Sequence, residues 1–249
     1  MPTLPFPKSI SVVLPAYDEE ENIGEAVDQC VDFLRGAFTT WEVLVVDDGS
    51  SDGTAEVVRA RAADEPRVRP ILHERNLGYG AALARGFAES TGDIVFFTDA
   101  DLQFDVRELK DAVPLLDDHD VVFGFRVYRY DSVLRCLLSW TYNRLVRVLF
   151  GIRVRDVDCS FKLFSRPVVD RLVLESTDFF VDTEMVARVA RMDVRTVEKG
   201  VRHYPRPAGH TTVRPSHIPK TLWTVARMWW RIRITGPAPE RKGDDAGVA

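Results

Sequence analysis

The stretch that most constrains this chain is Ile94-Val95-Phe96-Phe97-Thr98-Asp99-Ala100-Asp101. Five apolar or β-branched residues in a row read as a buried strand. The run stops at two carboxylates one residue apart, and with Ala100 between them both can converge on one point just past the strand end. In open α/β sheets ligands sit at that edge, outside the carboxyl ends of the strands. Two hard oxygen donors there suit Mg2+ or Mn2+, with a ligand's phosphates completing the shell. A plainer use of such acids is helix capping, by Asp101 or Asp105, ahead of a helix that begins near Val106.

The preceding residues repeat the pattern. Ser9–Leu14 is an apolar strand ending at Pro15, followed by the acid-rich Ala16–Ile23, in which Asp18 is the expected N-cap. Ile23, Ala26, Val27, Cys30 and Leu34 continue at helical spacing. Trp41–Val46 is a second strand, and Asp47-Asp48-Gly49-Ser50-Ser51-Asp52-Gly53-Thr54 turns from it into a helix over 54–63. Its carboxylates could accept from a base or a ribose; equally, this could be a plain strand–turn–helix capped by Ser51 or Asp52. Val68–Leu72 is a third strand. The glycines of Gly78-Tyr79-Gly80 open a third helix, but Leu83 stands where a dinucleotide fingerprint needs its last glycine, which argues against a nicotinamide site. Gly80, Ala81 and Ala84 are small enough to bring this helix close to the sheet. Strand and helix alternating three times before Asp99 predict a doubly wound, mostly parallel α/β sheet.

Beyond Asp101 the pattern predicts a helix over 106–116, a strand over 121–125 that delivers Arg126, and a helix over 132–150. It then predicts a strand over 156–164 with acids at its start, a helix from about 179 to 191, and an extended stretch over 194–204. Residues 205–212 are a polar candidate lid. A helix over 220–234 carries Trp223, Trp229 and Trp230 beside Lys220, Arg227, Arg231 and Arg233, the composition of a membrane–water interface. Aromatic and basic residues also suit single-stranded nucleic acid, but no nucleic-acid-binding motif accompanies them, so no nucleic-acid partner is expected. The reading is one domain over 1–235, with a nucleotide-binding half over about 9–120, an acceptor- and membrane-facing half over about 121–235, and a disordered tail over 236–249.

Net charge, −5 in total, divides along the same line. Residues 1–120 hold 10 Lys+Arg against 25 Asp+Glu, and residues 121–235 hold 21 against 10. An acidic half able to hold a cation is joined to a basic half able to face an anion. The longest run without Asp, Glu, Lys or Arg is nine residues, against the roughly 20 that a membrane span needs. No signal peptide is expected at the start. Three cysteines without metal-ligand spacing fit a reducing cytosol.

Taken together, VVLPAYDEEENI (12–23), VLVVDDGSSDGT (43–54), NLGYGAALARG (76–86), FFTDADLQF (96–104), VFGFR (122–126), RDVDCSFKLFSR (155–166), FFVDTEM (179–185) and YPRPAGHTTVRPS (204–216) resemble the family 2 glycosyltransferases of GT-A fold. Within that family they resemble the dolichyl- and polyprenyl-phosphate mannosyl- and glucosyltransferases. The DVDCSFKLF wording is closer to the glucosyl type, and Ser160 stands where those relatives often have glycine. The resemblance implies that Pro15, Tyr17, Glu19, Asp47 and Asp48 hold the nucleoside. Asp99, Ala100 and Asp101, with Gln103, would hold the diphosphate, and Asp99 and Asp101 the metal. Arg126 and Arg129 would meet the acceptor phosphate, and Arg206 would lie on a segment that closes over the site. Asp182 and Glu184 match an acidic pair at which other members keep a base or an acceptor contact.

What the resemblance implies is an inverting transfer of a hexose from GDP-mannose or UDP-glucose to a polyprenyl or dolichyl phosphate. The enzyme would sit peripherally on the inner, cytoplasmic face of the cell membrane. The chemistry is consistent: a phosphate monoester with a second pKa near about 6 is already largely ionised at neutral pH, so its attack needs little help from a base. A soluble family 2 enzyme acting on a saccharide or metabolite hydroxyl is the alternative; it would need Asp182 or Glu184 as base and would not need the Trp/Arg helix. A non-enzymatic nucleotide-sugar binding module is a third reading, opposed by the intact Asp99/Asp101 pair. For Arg126, the structural alternative to a phosphate contact is a surface pair with an acid such as Asp131.

Overall fold

The structure, a computed structural model, describes residues 4–127, 133–207, 225, 227, 229 and 230. Seven strands form one sheet: β1 (Ile10–Ala16), β2 (Trp41–Asp47), β3 (Val68–Leu72), β4 (Ile94–Phe97), β5 (Val121–Arg126), β6 (Lys162–Ser165) and β7 (Thr196–Val201), in the order β3-β2-β1-β4-β6-β5-β7. The helices are α1 (Glu20–Ala37), α2 (Thr54–Asp64), α3 (Tyr79–Glu89), α4 (Leu109–Ala112), α5 (Val133–Phe150), α6 (Arg166–Arg171) and α7 (Val181–Val189). β1 to β4 run parallel, and β5 pairs parallel with β7. Only β6 is reversed, antiparallel to both β4 and β5. The doubly wound α/β expectation therefore holds with one inserted antiparallel strand.

The central strands are apolar on both faces because helices cover both. Val12, Leu14, Val43, Val45 and Phe96 pack with α1 residues such as Ile23, Val27 and Leu34. Val13, Leu44, Val46, Val95 and Phe97 pack with residues of α3, α6 and α7, among them Phe87, Val169 and Met185. On α3 the buried positions are Gly80, as expected, with Ala82, Leu83, Gly86 and Phe87 rather than Ala81 and Ala84. A Cβ at Gly86 would lie 2.3 Å from Val13 Cγ1.

Several expectations need correction. β6 is four residues long, so Asp156 and Asp158 lie in a loop before it rather than at the start of a strand. The helix expected over 106–116 is a 3-10 turn, the single turn α4 and a second 3-10 turn. Pro114 lacks the N–H and its ring crowds the preceding turn. Asp18 does not cap α1: it adopts φ +53°, and its carboxylate accepts from Ser51 N at 2.7 Å. Instead α1 and α2 cap each other, with Glu20 N donating to Asp52 at 3.1 Å and Gly53 N donating to Glu20 at 2.9 Å. No helix among the described residues is long and apolar enough to cross a membrane. Most of the helix expected over 220–234, the tail from 236, residues 208–212 and Arg129 lie outside the described residues. Where 220–234 is described, Val225 is buried in the second core and Trp229 Nε1 donates to the Leu149 carbonyl at 2.8 Å, which sets Trp229 against the end of α5.

Candidate active site

From β1 the chain moves to β2 and β3 on one side of the sheet, and β4 then returns to the other side of β1. The carboxyl ends of β1 and β4 therefore flank the switch point at which such sheets bind ligands. Phe97 of β4 is level with Lys162 of β6, and Lys162 with Phe123 of β5. Arg126, three residues on, leaves the sheet at the same edge as Asp99.

At this edge Asp99 Oδ1 accepts from the Tyr79 hydroxyl at 2.8 Å and Oδ2 from the Ser160 hydroxyl at 2.6 Å. Asp101 accepts from Gln103 N at 3.1 Å. Burial pushes both carboxyls up; for Asp101, burial and then the charge of Asp99 take it to about 7. The helix-cap alternative falls to Asp105 instead, which accepts from Arg107 N at 2.9 Å. Gln103 and Tyr204 exchange two hydrogen bonds, 2.9 Å and 3.1 Å. That joins the loop after β4 to the stretch after β7, and Arg206 there pairs with Glu19. Glu19 also accepts from Asn22 at 2.9 Å. Ala100 is buried, and Tyr17 stands at the rim, 38% exposed.

The carboxylates expected on the nucleoside side are committed to loops. Asp48 is contacted by His73 Nδ1 at 2.7 Å, Leu77 N at 2.9 Å and Gly78 N at 2.7 Å. Asp47 accepts from Ser50 N at 3.0 Å and from its hydroxyl. Gly49, at φ +72°, lets these loops meet: a Cβ there would lie 2.4 Å from the Arg75 backbone. Pro15 contributes main chain within β1.

In the second half, Arg126 is gripped by Asp156, not by a surface acid. Nε and Nη2 each donate at 2.7 Å, and the pair is 14% and 6% exposed. The fork expected to grip phosphate is already engaged. Asp182 pairs with Lys162, a lysine with no exposed surface. Glu184, expected as a possible base, is not placed for that role. Fully buried, it pairs with Arg188 and accepts from Glu175 N and Ser176 N at 2.7 to 3.1 Å. The loop it holds abuts the start of α3, where Gly80 N donates to Thr177 O at 3.0 Å, and a Cβ at Gly80 would lie 2.0 Å from Ser176 O. Glu184 thus steadies Tyr79, and Tyr79 in turn holds Asp99.

Tyr79, Asp156, Asp158, Ser160 and Lys162 belong to the site, although the residue patterns gave them no role. Lys162 carried a signal, being a lone cation within the apolar run Phe161–Phe164. Tyr79 carried none, since an aromatic at a helix start is ordinary. Among the described residues no group of three or more His, Cys, Asp or Glu side chains could hold a metal by itself. The hard donors of Asp99 and Asp101 fit a divalent cation whose remaining ligands come from a diphosphate.

This mostly parallel sheet, with its carboxylate pair at the switch point, is a GT-A glycosyltransferase fold. The profile of Glycosyl transferase family 2 matches residues 11–173, and the chain belongs to that family. It is 33% identical to glycosyltransferase AglD of Haloferax volcanii, over 90% of this chain and 38% of that protein. It is 35% identical to the undecaprenyl-phosphate 4-deoxy-4-formamido-L-arabinose transferase of Pectobacterium carotovorum, over 67% of this chain and 51% of that protein. The chain thus spans about half or less of these relatives' length. Among solved structures, it matches glucosyl-3-phosphoglycerate synthase of Mycobacterium tuberculosis with Mn2+, UDP-glucose and phosphoglyceric acid (TM-score 0.66, 24% identity, 90% of this chain and 79% of that one). It also matches mannosyltransferase PcManGT of Pyrobaculum calidifontis with GDP-mannose and Mn2+ (TM-score 0.65, 24% identity, 94% and 66%).

Proposed function

We propose that this chain, as one domain over 1–235, is an inverting glycosyltransferase. It moves a hexose from a nucleotide sugar, GDP-mannose or UDP-glucose, to a polyprenyl phosphate on the cytoplasmic face of a membrane. The observation that carries this reading is the Asp99/Asp101 pair at the switch point, within a sequence 35% identical to an undecaprenyl-phosphate sugar transferase. Mg2+ or Mn2+ at Asp99 and Asp101 would neutralise the charge that develops on the departing nucleoside diphosphate. Tyr79 and Ser160 fix the Asp99 carboxylate, and Arg206, carried by the Gln103–Tyr204 junction, supplies positive charge beside Asp101. Pro15, Tyr17, Glu19, Asp47 and Asp48 shape the nucleoside side. Arg126, held edge-on by Asp156, and Arg129 are the acceptor-side cations. The phosphate nucleophile is ionised and asks for no base, consistent with a site in which Glu184 is sealed.

Membrane attachment is part of the proposal. On α5 the exposed side chains include Trp140, Leu145 and Val148 beside Arg144, and Trp230, 63% exposed, follows Trp229, which contacts this helix. Such a surface suits the headgroup region, and its binding to anionic vesicles should weaken with salt. A second reading, transfer to a small phosphorylated acid, is favoured by the likeness to glucosyl-3-phosphoglycerate synthase. One assay separates the two: protein with Mn2+, radiolabelled GDP-mannose or UDP-glucose, and either polyprenyl phosphate or phosphoglycerate. Label entering the organic phase supports the lipid acceptor; label retained in water on phosphoglycerate overturns it.

A further inference from the structure

Lys162 lies on the face of β6 that also presents Phe164, between Phe97 and Phe123 on the neighbouring strands. It has no exposed surface, and an unpartnered ammonium there would be strongly unfavourable. Its Nζ donates to the Cys159 carbonyl at 2.7 Å and to Asp182 Oδ1 at 2.5 Å, and lies 5.0 Å from the centroid of the Phe97 ring. Stability alone does not call for such a pair, because apolar side chains of similar volume commonly replace a buried ion pair without loss.

Its position in the site gives it a purpose. Cys159 and Ser160 are consecutive: the first holds Lys162 and through it Asp182, and the second holds Asp99. The two carboxylates thus hang from one loop. The Tyr79–Phe179 ring stack, 5.4 Å between centroids, brings the starts of α3 and α7 together around them. The charge of Asp182 bears on Asp99, Asp158, Tyr79 and Tyr142. Its Oδ2 takes no hydrogen bond among the described residues, and its side chain keeps 8% exposure. An ionised acceptor phosphate leaves this carboxylate without a proton to remove. An open carboxylate oxygen beside the diphosphate-binding pair is suited to a sugar hydroxyl.

We propose that Lys162 is a positioning residue that fixes Asp182 so that its Oδ2 accepts a hydrogen bond from a hydroxyl of the donor sugar. This rests on the nucleotide-sugar reading above, but not on the identity of the acceptor.

The test is calorimetric titration, with Mn2+ present, of UDP-glucose against UDP and of GDP-mannose against GDP. The proteins are the wild type, Lys162→Met, Asp182→Asn and the double variant. Each variant should bind the nucleoside diphosphate within about twofold of wild type yet lose about tenfold in affinity for the nucleotide sugar, because one hydroxyl contact is lost. The double variant should lose no more than Asp182→Asn. Should Lys162→Met fail to fold, the double variant, which strands no charge, still gives the comparison: equality with Asp182→Asn supports the proposal. Losses that multiply in the double variant, or that fall equally on UDP and UDP-glucose, overturn it. A wild type that binds neither nucleotide sugar overturns the donor reading itself.

Discussion

The two halves of the molecule use charge differently. Before residue 120, carboxylates hold main chain: Asp18 takes Ser51 N, Asp52 takes Glu20 N and Thr54 N, Glu20 takes Gly53 N, and Asp48 takes Leu77 N and Gly78 N. After residue 120, buried charges pair side chain to side chain, across elements in Arg126–Asp156 and Lys162–Asp182 and within α7 in Arg188–Glu184. Part of the excess of acids in the first half is therefore loop architecture. Asp99 and Asp101, the pair proposed for a cation, lie close together at a buried edge, where the charge of Asp99 bears on Asp101. The excess of bases in the second half is likewise partly internal, since Arg126, Lys162 and Arg188 each have an acid of their own.

The largest expected effect falls on the pair proposed to hold the metal. Asp101→Asn should lower turnover about a thousandfold, equivalent to ~4 kcal/mol, with the melting temperature little changed. EDTA should do the same to the wild type; full turnover in EDTA would remove the metal role.

The contrast between the halves is sharpened by comparing Glu184→Gln with Asp48→Asn. Glu184→Gln leaves the 9%-exposed Arg188 with only the longer 3.4 Å pair to Glu175 and should cost about 3 kcal/mol, whereas Asp48→Asn keeps an acceptor for main-chain donors and should cost about 1 kcal/mol. Thermal unfolding of the two variants measures this, and equal losses would break the comparison.

Arg126→Lys keeps charge but cannot reproduce the two-point grip on Asp156. Turnover on lipid phosphate should fall about tenfold, or ~1.4 kcal/mol, and the melting temperature should drop by a few degrees as the pair loosens. Nucleotide affinity should hold. A parallel fall in nucleotide affinity would move Arg126 to the donor side.

The smallest effect is one of pH. Burial, then the charges of Asp182 and Asp156, push the Asp158 carboxyl up from 3.8 to about 6. The folded state thus favours the protonated form, so this group's contribution to stability is greatest near pH 4 and declines as pH rises through about 6. Asp158→Asn should melt a few degrees above wild type at pH 8 and level with it near pH 4. A constant offset at both pH values would assign the effect to packing.

Much of the site was legible because its signals are local. A strand end is marked by an apolar run that stops, and Asp99 and Asp101 follow such a run directly; the same logic located β1, β2, β3 and β5 to within a residue or two. The mutual capping of α1 and α2 was not legible, because Asp18 beside a helix start looks like a cap whether or not a second loop claims its carboxylate.

The sequence by itself determined the sheet's parallel core, the edge on which the acids gather and the family, all of which follow from short-range periodicity and contiguous motifs. Tertiary structure alone decided that β6 runs backwards, that Asp156 takes Arg126 from 30 residues away, that Lys162 reaches Asp182 on another element, and that Glu184 is sealed. A strand's direction depends on which end of the sheet the chain re-enters, and a long side chain's partner depends on which elements that crossing brings within reach. Neither is written in any window of neighbouring residues.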